Sequence, residues 1–263
     1  MSKELEVAIR IAKEAGKIVM DIYNSDFQHE IKNNEVDNFI TNADKKSELF
    51  IKKELEKEFP NHGFRAEEYN NDSSDKEFVW IIDPIDGTKG FVNKTDEFSI
   101  MIGLAHNGKS ILGVVFNPAK NHLFYAEKGK GAFFNGERIY VSEKNNVEDM
   151  KLVVSDRFKK FPVLKTMYDK LPVKFTIIGS AGYKICLIAQ SLFDIAVYKD
   201  NTISEWDMCA PKIIVEEAGG IMTFFNNEEV KFNRKETKYS QGILISNNKN
   251  HKELLSLLTT SLN

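Results

Sequence analysis

The chain has 263 residues, 42% hydrophobic and 29% charged, with a formal net charge of −3 at pH 7. This is the composition of an ordinary soluble protein with a sizeable core, and its slight acidity gives no electrostatic case for a nucleic-acid polymer or an anionic membrane as partner. No apolar run approaches a membrane span and the N-terminal S-K-E-L-E lacks a signal-peptide core, so a reduced, cytoplasmic setting is expected, with Cys186 and Cys209 as core residues in apolar runs.

Leu5, Ala8, Ile11, Ala12, Ala15, Ile18, Val19 and Ile22 recur at helical spacing and predict a helix over 3–23. Residues 24–40 are polar and read as a loop with room for a short strand. Thr41 caps a second helix running to about Phe59, with Leu49, Phe50, Leu55 and Phe59 marking its buried side and Pro60 following its end. A short strand is expected over 63–66, leading into Glu67 and Glu68, and a solvated loop over 70–77. Phe78–Ile82 is β-branched and aromatic, of strand length. The strand is expected to stop at Asp83, because Pro84 cannot donate to a sheet ladder. Asp86, Gly87 and Thr88 then open a helix with Asp86 as its cap.

Strand-like runs at 97–105, 111–117 and 122–127, separated by glycine-containing turns, predict an antiparallel meander, and 129–136 holds a short strand between glycines. The polar segment 143–150 marks a boundary between subdomains 1–150 and 151–263. Beyond it, strands at 151–155, 173–178 and 193–198 alternate with helices at 158–170, 180–190 and 204–218. Strands at 220–225 and 242–246 and a final helix over 249–262 follow. Such alternation argues for an α/β sheet layered with helices.

Most of the acids that stand out fall at strand ends or helix starts. Asp83 lies at the end of a strand, Asp86 at the start of the helix that follows, Asp44 and Asp207 in first helical turns, and Glu67 after a short strand. An acid in a first helical turn commonly does no more than complement the helix dipole. Gathered together, however, carboxylates repel and raise one another's pKa unless a cation joins them. Mg²⁺ takes oxygen ligands and leaves positions for water and phosphate, and a helix N-terminus beside it suits an anion. The histidines are scattered without ligand spacing, which argues against zinc and against a Ser-His-Asp triad. The D-x-D-x-D-G spacing of a structural Ca²⁺ loop is absent as well.

The segments W-I-I-D-P-I-D-G-T at 80–88, A-E-E at 66–68, I-T-N-A-D at 40–44, G-S-A-G-Y-K-I-C-L-I-A at 179–189 and W-D-M-C-A-P-K-I-I-V-E-E-A-G-G at 206–220 together resemble the inositol monophosphatase superfamily. The resemblance implies a sandwich of alternating α-β-α-β-α layers. It also implies a Mg²⁺-dependent, lithium-sensitive phosphatase using two or three ions, often a homodimer. It assigns catalysis to Asp44, Thr88 and Glu67 and metal binding to Glu67, Asp83, the Ile85 carbonyl, Asp86 and Asp207. Substrate contacts fall to Gly87, Thr88, Lys184, Asp200 and Glu205. In such enzymes a water held by metal attacks the phosphomonoester in line, with no covalent phosphoenzyme.

For the ester, D-G-T-K-G-F at 86–91, Lys184 and Glu205-Trp206-Asp207 are similar to the 3′(2′),5′-bisphosphate nucleotidase branch. Gly90 stands where that branch has a glutamate, and N-T-I at 201–203 where it has G-P-T. The favoured substrate is adenosine 3′(2′),5′-bisphosphate, giving AMP and phosphate. Asp200, seven positions before Asp207, instead matches an acid that binds inositol hydroxyls, so inositol 1-phosphate or another sugar phosphate is the alternative. A catalytically silent nucleotide- or metal-binding protein is the alternative of a different class.

Overall fold

The computed structural model describes residues 1–31, 39–69, 75–155, 173–199 and 201–259; the expected helix at 158–170, Asp200 and part of the 70–77 loop lie outside them. The first half comprises α1 (Lys3–Tyr23), β1 (His29–Ile31), β2 (Phe39–Thr41), α2 (Asn42–Glu58), β3 (Gly63–Ala66), β4 (Phe78–Asp86), α3 (Thr88–Val92), β5 (Ser99–His106), β6 (Lys109–Asn117), β7 (His122–Glu127), β8 (Gly131–Phe134) and β9 (Glu137–Ile139). The second comprises β10 (Lys151–Val154), β11 (Lys174–Ile177), α4 (Ala181–Ala189), β12 (Ile195–Tyr198), α5 (Glu205–Glu217), β13 (Ile221–Phe224), β14 (Ile243–Ser246) and α6 (His251–Thr259).

Strands β3 to β9 form one sheet in sequence order, antiparallel except for the parallel β3–β4 pair. The second sheet runs β11-β10-β12-β14-β13 and is mixed. Alternation along the strands divides the core. Trp80, Ile82, Ile100, Ile102, Leu112 and Val114 pack with α1 and α2. Their neighbours Val79, Ile81, Met101, Ala105 and Val115 face Ile185, Ile188, Met208 and Ile213 of α4 and α5, which lie between the sheets. On the far side of the second sheet, Leu254, Leu255 and Leu258 of α6 cover Leu152, Val154, Ile195 and Leu244. The layers are therefore α-β-α-β-α.

Two local expectations need correction. The strand does not end at Asp83: β4 continues to Asp86, and its three-residue step from Asp83 to Asp86 is matched by only two on β5, Met101 to Ser99. The extra residue is a bulge, which tolerates Pro84 because no ladder donor is needed there. It also changes the parity of the strand, so two acids three residues apart face the same side instead of opposite ones. In α2, Leu49 is exposed, and the buried face carries Asp44, Ser47 and Glu48 beside Ile51 and Leu55. A polar buried stripe is invisible to a search for apolar spacing.

The depth of α5 is set by a glycine pair. Gly103 of β5 sits opposite Gly113 of β6. A Cβ on Gly103 would meet Cys209 Sγ at 2.7 Å, and one on Gly113 the Ala210 carbonyl oxygen at 2.2 Å. Only hydrogen at both positions lets the helix lie directly on the strands. Gly113→Ala is expected to lift α5 and lower stability by about 1–3 kcal/mol, as overpacked cores do; an unshifted urea midpoint would show that this close approach does not matter.

Candidate active site

The bulge end of β4 is where helix N-termini collect. Asp86 does not cap the helix that follows it. That helix, α3, has five residues and begins after Gly87 in the left-handed region, φ 88°, with no side-chain cap. The Asp86 carboxylate instead crosses to α4, where it accepts from Ser180 Oγ, from Ala181 N (2.9 Å) and from Gly182 N (2.7 Å). Ser180 also lies 3.0 Å from Ser99 Oγ. Gly182 has no room for a side chain, because a Cβ there would meet Met101 Sδ at 2.0 Å.

Two other acids are the third residues of their helices and close capping boxes. Asp44 Oδ2 accepts from Thr41 N and Thr41 Oγ1 at 2.7 and 2.6 Å, and Asp207 Oδ2 accepts from Ser204 N at 2.7 Å. Each acid thus has a structural partner and still turns toward the same place. One carboxylate oxygen from each of Asp83, Asp86 and Asp207 lies within 4.8 Å of the others. Burial pushes the Asp83 carboxyl well above its ordinary range, and the charges of Glu67, Asp86, Asp207 and Asp44 raise it further. Asp83 thus lies within reach of the charges of the four other predicted acids.

The cluster is graded in depth. Asp44 and Asp83 are buried, whereas Glu67, Thr88 and Asp207 are half-buried and form its open side. Thr88 Oγ1 lies 3.2 Å from Asp44 Oδ1 and 3.1 Å from the Ile85 carbonyl oxygen, sharing one proton between them. An all-oxygen, all-anionic donor set fits a hard divalent cation such as Mg²⁺.

Other predicted residues fare differently. Gly87 needs its glycine, since a Cβ would sit 2.6 Å from the Glu97 carbonyl. Lys184 is buried, and its ammonium donates to the Ile178 and Gly179 carbonyls at 3.2 and 3.4 Å. Glu205, expected as a substrate contact, is fully buried, with Arg65, Arg234 and the Asn233 N–H on its carboxylate. Asp200 lies outside the described residues. Sequence reasoning missed Ser180 and Glu48. Both Glu48 oxygens accept from the Glu68 and Tyr69 N–H groups, at 2.8 and 2.7 Å, and shape the loop carrying Glu67. The available signal was its position four residues after Asp44, which puts both acids on one helix face.

The chain matches the inositol monophosphatase family over residues 1–262 and belongs to it. It is 34% identical over 240 residues to the fructose-1,6-bisphosphatase/inositol-1-monophosphatase of Thermotoga maritima, covering 91% of this chain and 92% of that protein. It is 30% identical to human inositol monophosphatase 1, covering 83% and 82%. The crystal structure of the extragenic suppressor protein SuhB from Bartonella henselae superposes with a TM-score of 0.87 at 28% identity, covering 98% of both chains. The family is one of Mg²⁺-dependent phosphatases acting on small phosphorylated substrates. No helix among the described residues is long and apolar enough to cross a membrane.

In the metal-free chain, a raised Asp83 pKa means that the folded state binds more protons than the unfolded one from pH 3.8 upward to the raised value, so stability is lost as pH rises through that window. In EDTA, Asp83→Asn is therefore expected to gain melting temperature relative to the wild type as pH is raised, and Mg²⁺ to reverse the order. A pH-independent gap between the two proteins would show that Asp83 is not strained.

Proposed function

We propose that the chain is a Mg²⁺-dependent phosphomonoesterase, with Glu67, Asp83, the Ile85 carbonyl, Asp86 and Asp207 as metal-binding groups and a small sugar or inositol phosphate as substrate. The observation that carries this reading is the convergence of carboxylate oxygens from Asp83, Asp86 and Asp207 within 4.8 Å of one another. Thr88 Oγ1, bonded to Asp44 Oδ1, also reaches the carbonyl of Ile85, the residue before Asp86. Magnesium, when bound there, supplies positive charge that offsets the phosphate's and lowers the cost of taking a proton from water.

The chain's own groups do the rest. Thr88 Oγ1 accepts a proton from water as it passes its own to Asp44 Oδ1. Asp44 cannot swing away, because Thr41 holds its other oxygen. The oxygen so activated attacks phosphorus in line, the ester oxygen leaves and is protonated, and an alcohol and inorganic phosphate result. The N–H groups of Gly87 and Thr88 are the proposed contacts for the phosphate oxygens.

The choice of a sugar or inositol phosphate follows from two residues and from relatives. Preference for a bisphosphorylated nucleotide drew on Lys184 and on Glu205, and both are turned to partners within the protein. Two of the relatives named above act, by their names, on inositol and fructose phosphates. The nucleotidase reading keeps its likeness in the stretches after Gly87 and before Asp207, so adenosine 3′,5′-bisphosphate belongs in the assay.

Asp83→Asn and Asp86→Asn are each expected to abolish Mg²⁺-dependent phosphate release while far-UV circular dichroism is unchanged; wild-type turnover in either would remove the site. Thr88→Ala is expected to lower kcat by about 10²-fold or more, the usual worth of a positioned proton-transfer group, with the Mg²⁺ concentration for half-maximal rate little changed. In a panel of inositol 1-phosphate, fructose 1,6-bisphosphate and adenosine 3′,5′-bisphosphate, kcat/KM is expected to favour one of the first two by about an order of magnitude. The reverse order restores the nucleotidase, and no release from any of them with Mg²⁺ would leave a binding protein.

A further inference from the structure

Glu205 is a fully enclosed acid outside the cluster. It is the first residue of α5, two before Asp207, and has no exposed surface. Its Oε2 accepts from Arg65 Nη1 at 3.0 Å and from Asn233 N at 2.8 Å; its Oε1 accepts from Arg234 N at 2.9 Å and Arg234 Nε at 3.1 Å. Arg65 in turn donates to the Arg234 carbonyl. Arg234 lies 4.1 Å over the Tyr239 ring and reaches the Glu236 and Lys238 carbonyls. One carboxylate thus joins three segments distant in sequence: β3, the start of α5, and the loop over 233–239.

The partners of this carboxylate give it a consequence beyond packing. Arg65 is two residues before Glu67, and Glu205 is two residues before Asp207. Among the described residues, strand β3 is the edge of its sheet and is held by ladder bonds to β4 alone. Phe64 and Ala66 point to the α1–α2 side, so alternation turns Arg65 to the α5 side, where it meets Glu205. Glu67 and Asp207, like-charged, both act on Asp83. Without a cation they repel, and an edge strand with one ladder is poorly placed to resist. We propose that Glu205, clamped by Arg65 and Arg234, is a positioning residue that sets the separation of Glu67 and Asp207 and so preorganises the cluster for its divalent ion. The proposal rests on the reading of the cluster as a Mg²⁺ site.

A brace of this kind acts on ion affinity rather than on the chemical step. The test uses the full chain and Mn²⁺ as a probe visible to electron paramagnetic resonance, alongside Mg²⁺ titrations of activity. Glu205→Gln and Arg65→Met are expected to weaken Mn²⁺ binding about tenfold, the scale seen when residues behind metal ligands are removed. The same factor is expected in the Mg²⁺ concentration for half-maximal rate, with kcat at saturating Mg²⁺ within about twofold of the wild type on that scale. Arg65→Lys, which keeps the charge, should recover part of the affinity. Should Glu205→Gln fail to fold, Arg234→Met, at the partly exposed end of the clamp, must still weaken Mn²⁺ binding. Wild-type Mn²⁺ affinity in the folded variants, whatever their melting temperatures, or a loss of kcat at unchanged affinity, overturns the proposal. A wild-type protein that binds neither ion overturns the metal-site reading itself and this proposal with it.

Discussion

Like charges forced together in a buried place are the constraint around which this molecule is arranged. Asp83 is enclosed, and four other carboxylates act on it. The fold offsets part of that repulsion with the N-termini of three helices. Asp44 and Asp207 sit in the first turns of α2 and α5, and Asp86 accepts N–H groups at the start of α4. Each acid thereby satisfies orphan donors that a helix must place somewhere, and each helix contributes the positive end of its dipole. In Asp44 and Asp207 the capping bonds engage Oδ2 and leave Oδ1 to face the cluster, whereas Asp86 accepts on both oxygens.

The layers deliver those helix ends to one place. Helix α2 lies on one face of the first sheet, and α4 and α5 lie on the other. Strand β4 runs between them, and its bulge turns Asp83 and Asp86 to the same side at the strand end. The glycine pair Gly103 and Gly113 lets α5 rest on the strands at backbone distance. Asp207 is thus placed by two hydrogen atoms on the neighbouring sheet as much as by its own helix. Ser47, on the polar stripe of α2, donates to the Pro84 carbonyl and pins the bulge from the opposite face.

Departures from the nucleotidase pattern acquire physical causes. A Cβ on Gly90 would lie 2.5 Å from the Glu97 carbonyl oxygen, so no glutamate fits there with the backbone as it stands. Glu97 is itself committed, accepting from the Gly179 N–H at 2.7 Å just before α4. Lys184 supports the same 178–179 segment from below through its ammonium. Lys184, expected as a substrate contact, thus bonds the segment that leads into α4.

The amino-acid order alone was enough to place the helices α1, α2, α4 and α5 and the antiparallel meander, and to single out Asp83, Asp86 and Asp207, which meet in the structure, because periodicity, caps and local motifs are properties of neighbouring residues. It misplaced the end of β4 and the cap of α3, and on α2 it counted the exposed Leu49 as buried and passed over the polar stripe. In each case the deciding partner was remote: β5 supplied the register that makes the bulge, α4 took the Asp86 carboxylate, and the strand end received the polar stripe. The fate of Lys184 and Glu205 was likewise decided only in three dimensions. Whether a charged side chain meets substrate or an internal partner depends on what packs against it, and Arg65 and Arg234 lie 140 and 29 residues from Glu205. Local chemistry is written along the chain; the pairing of distant charges is settled when the layers close.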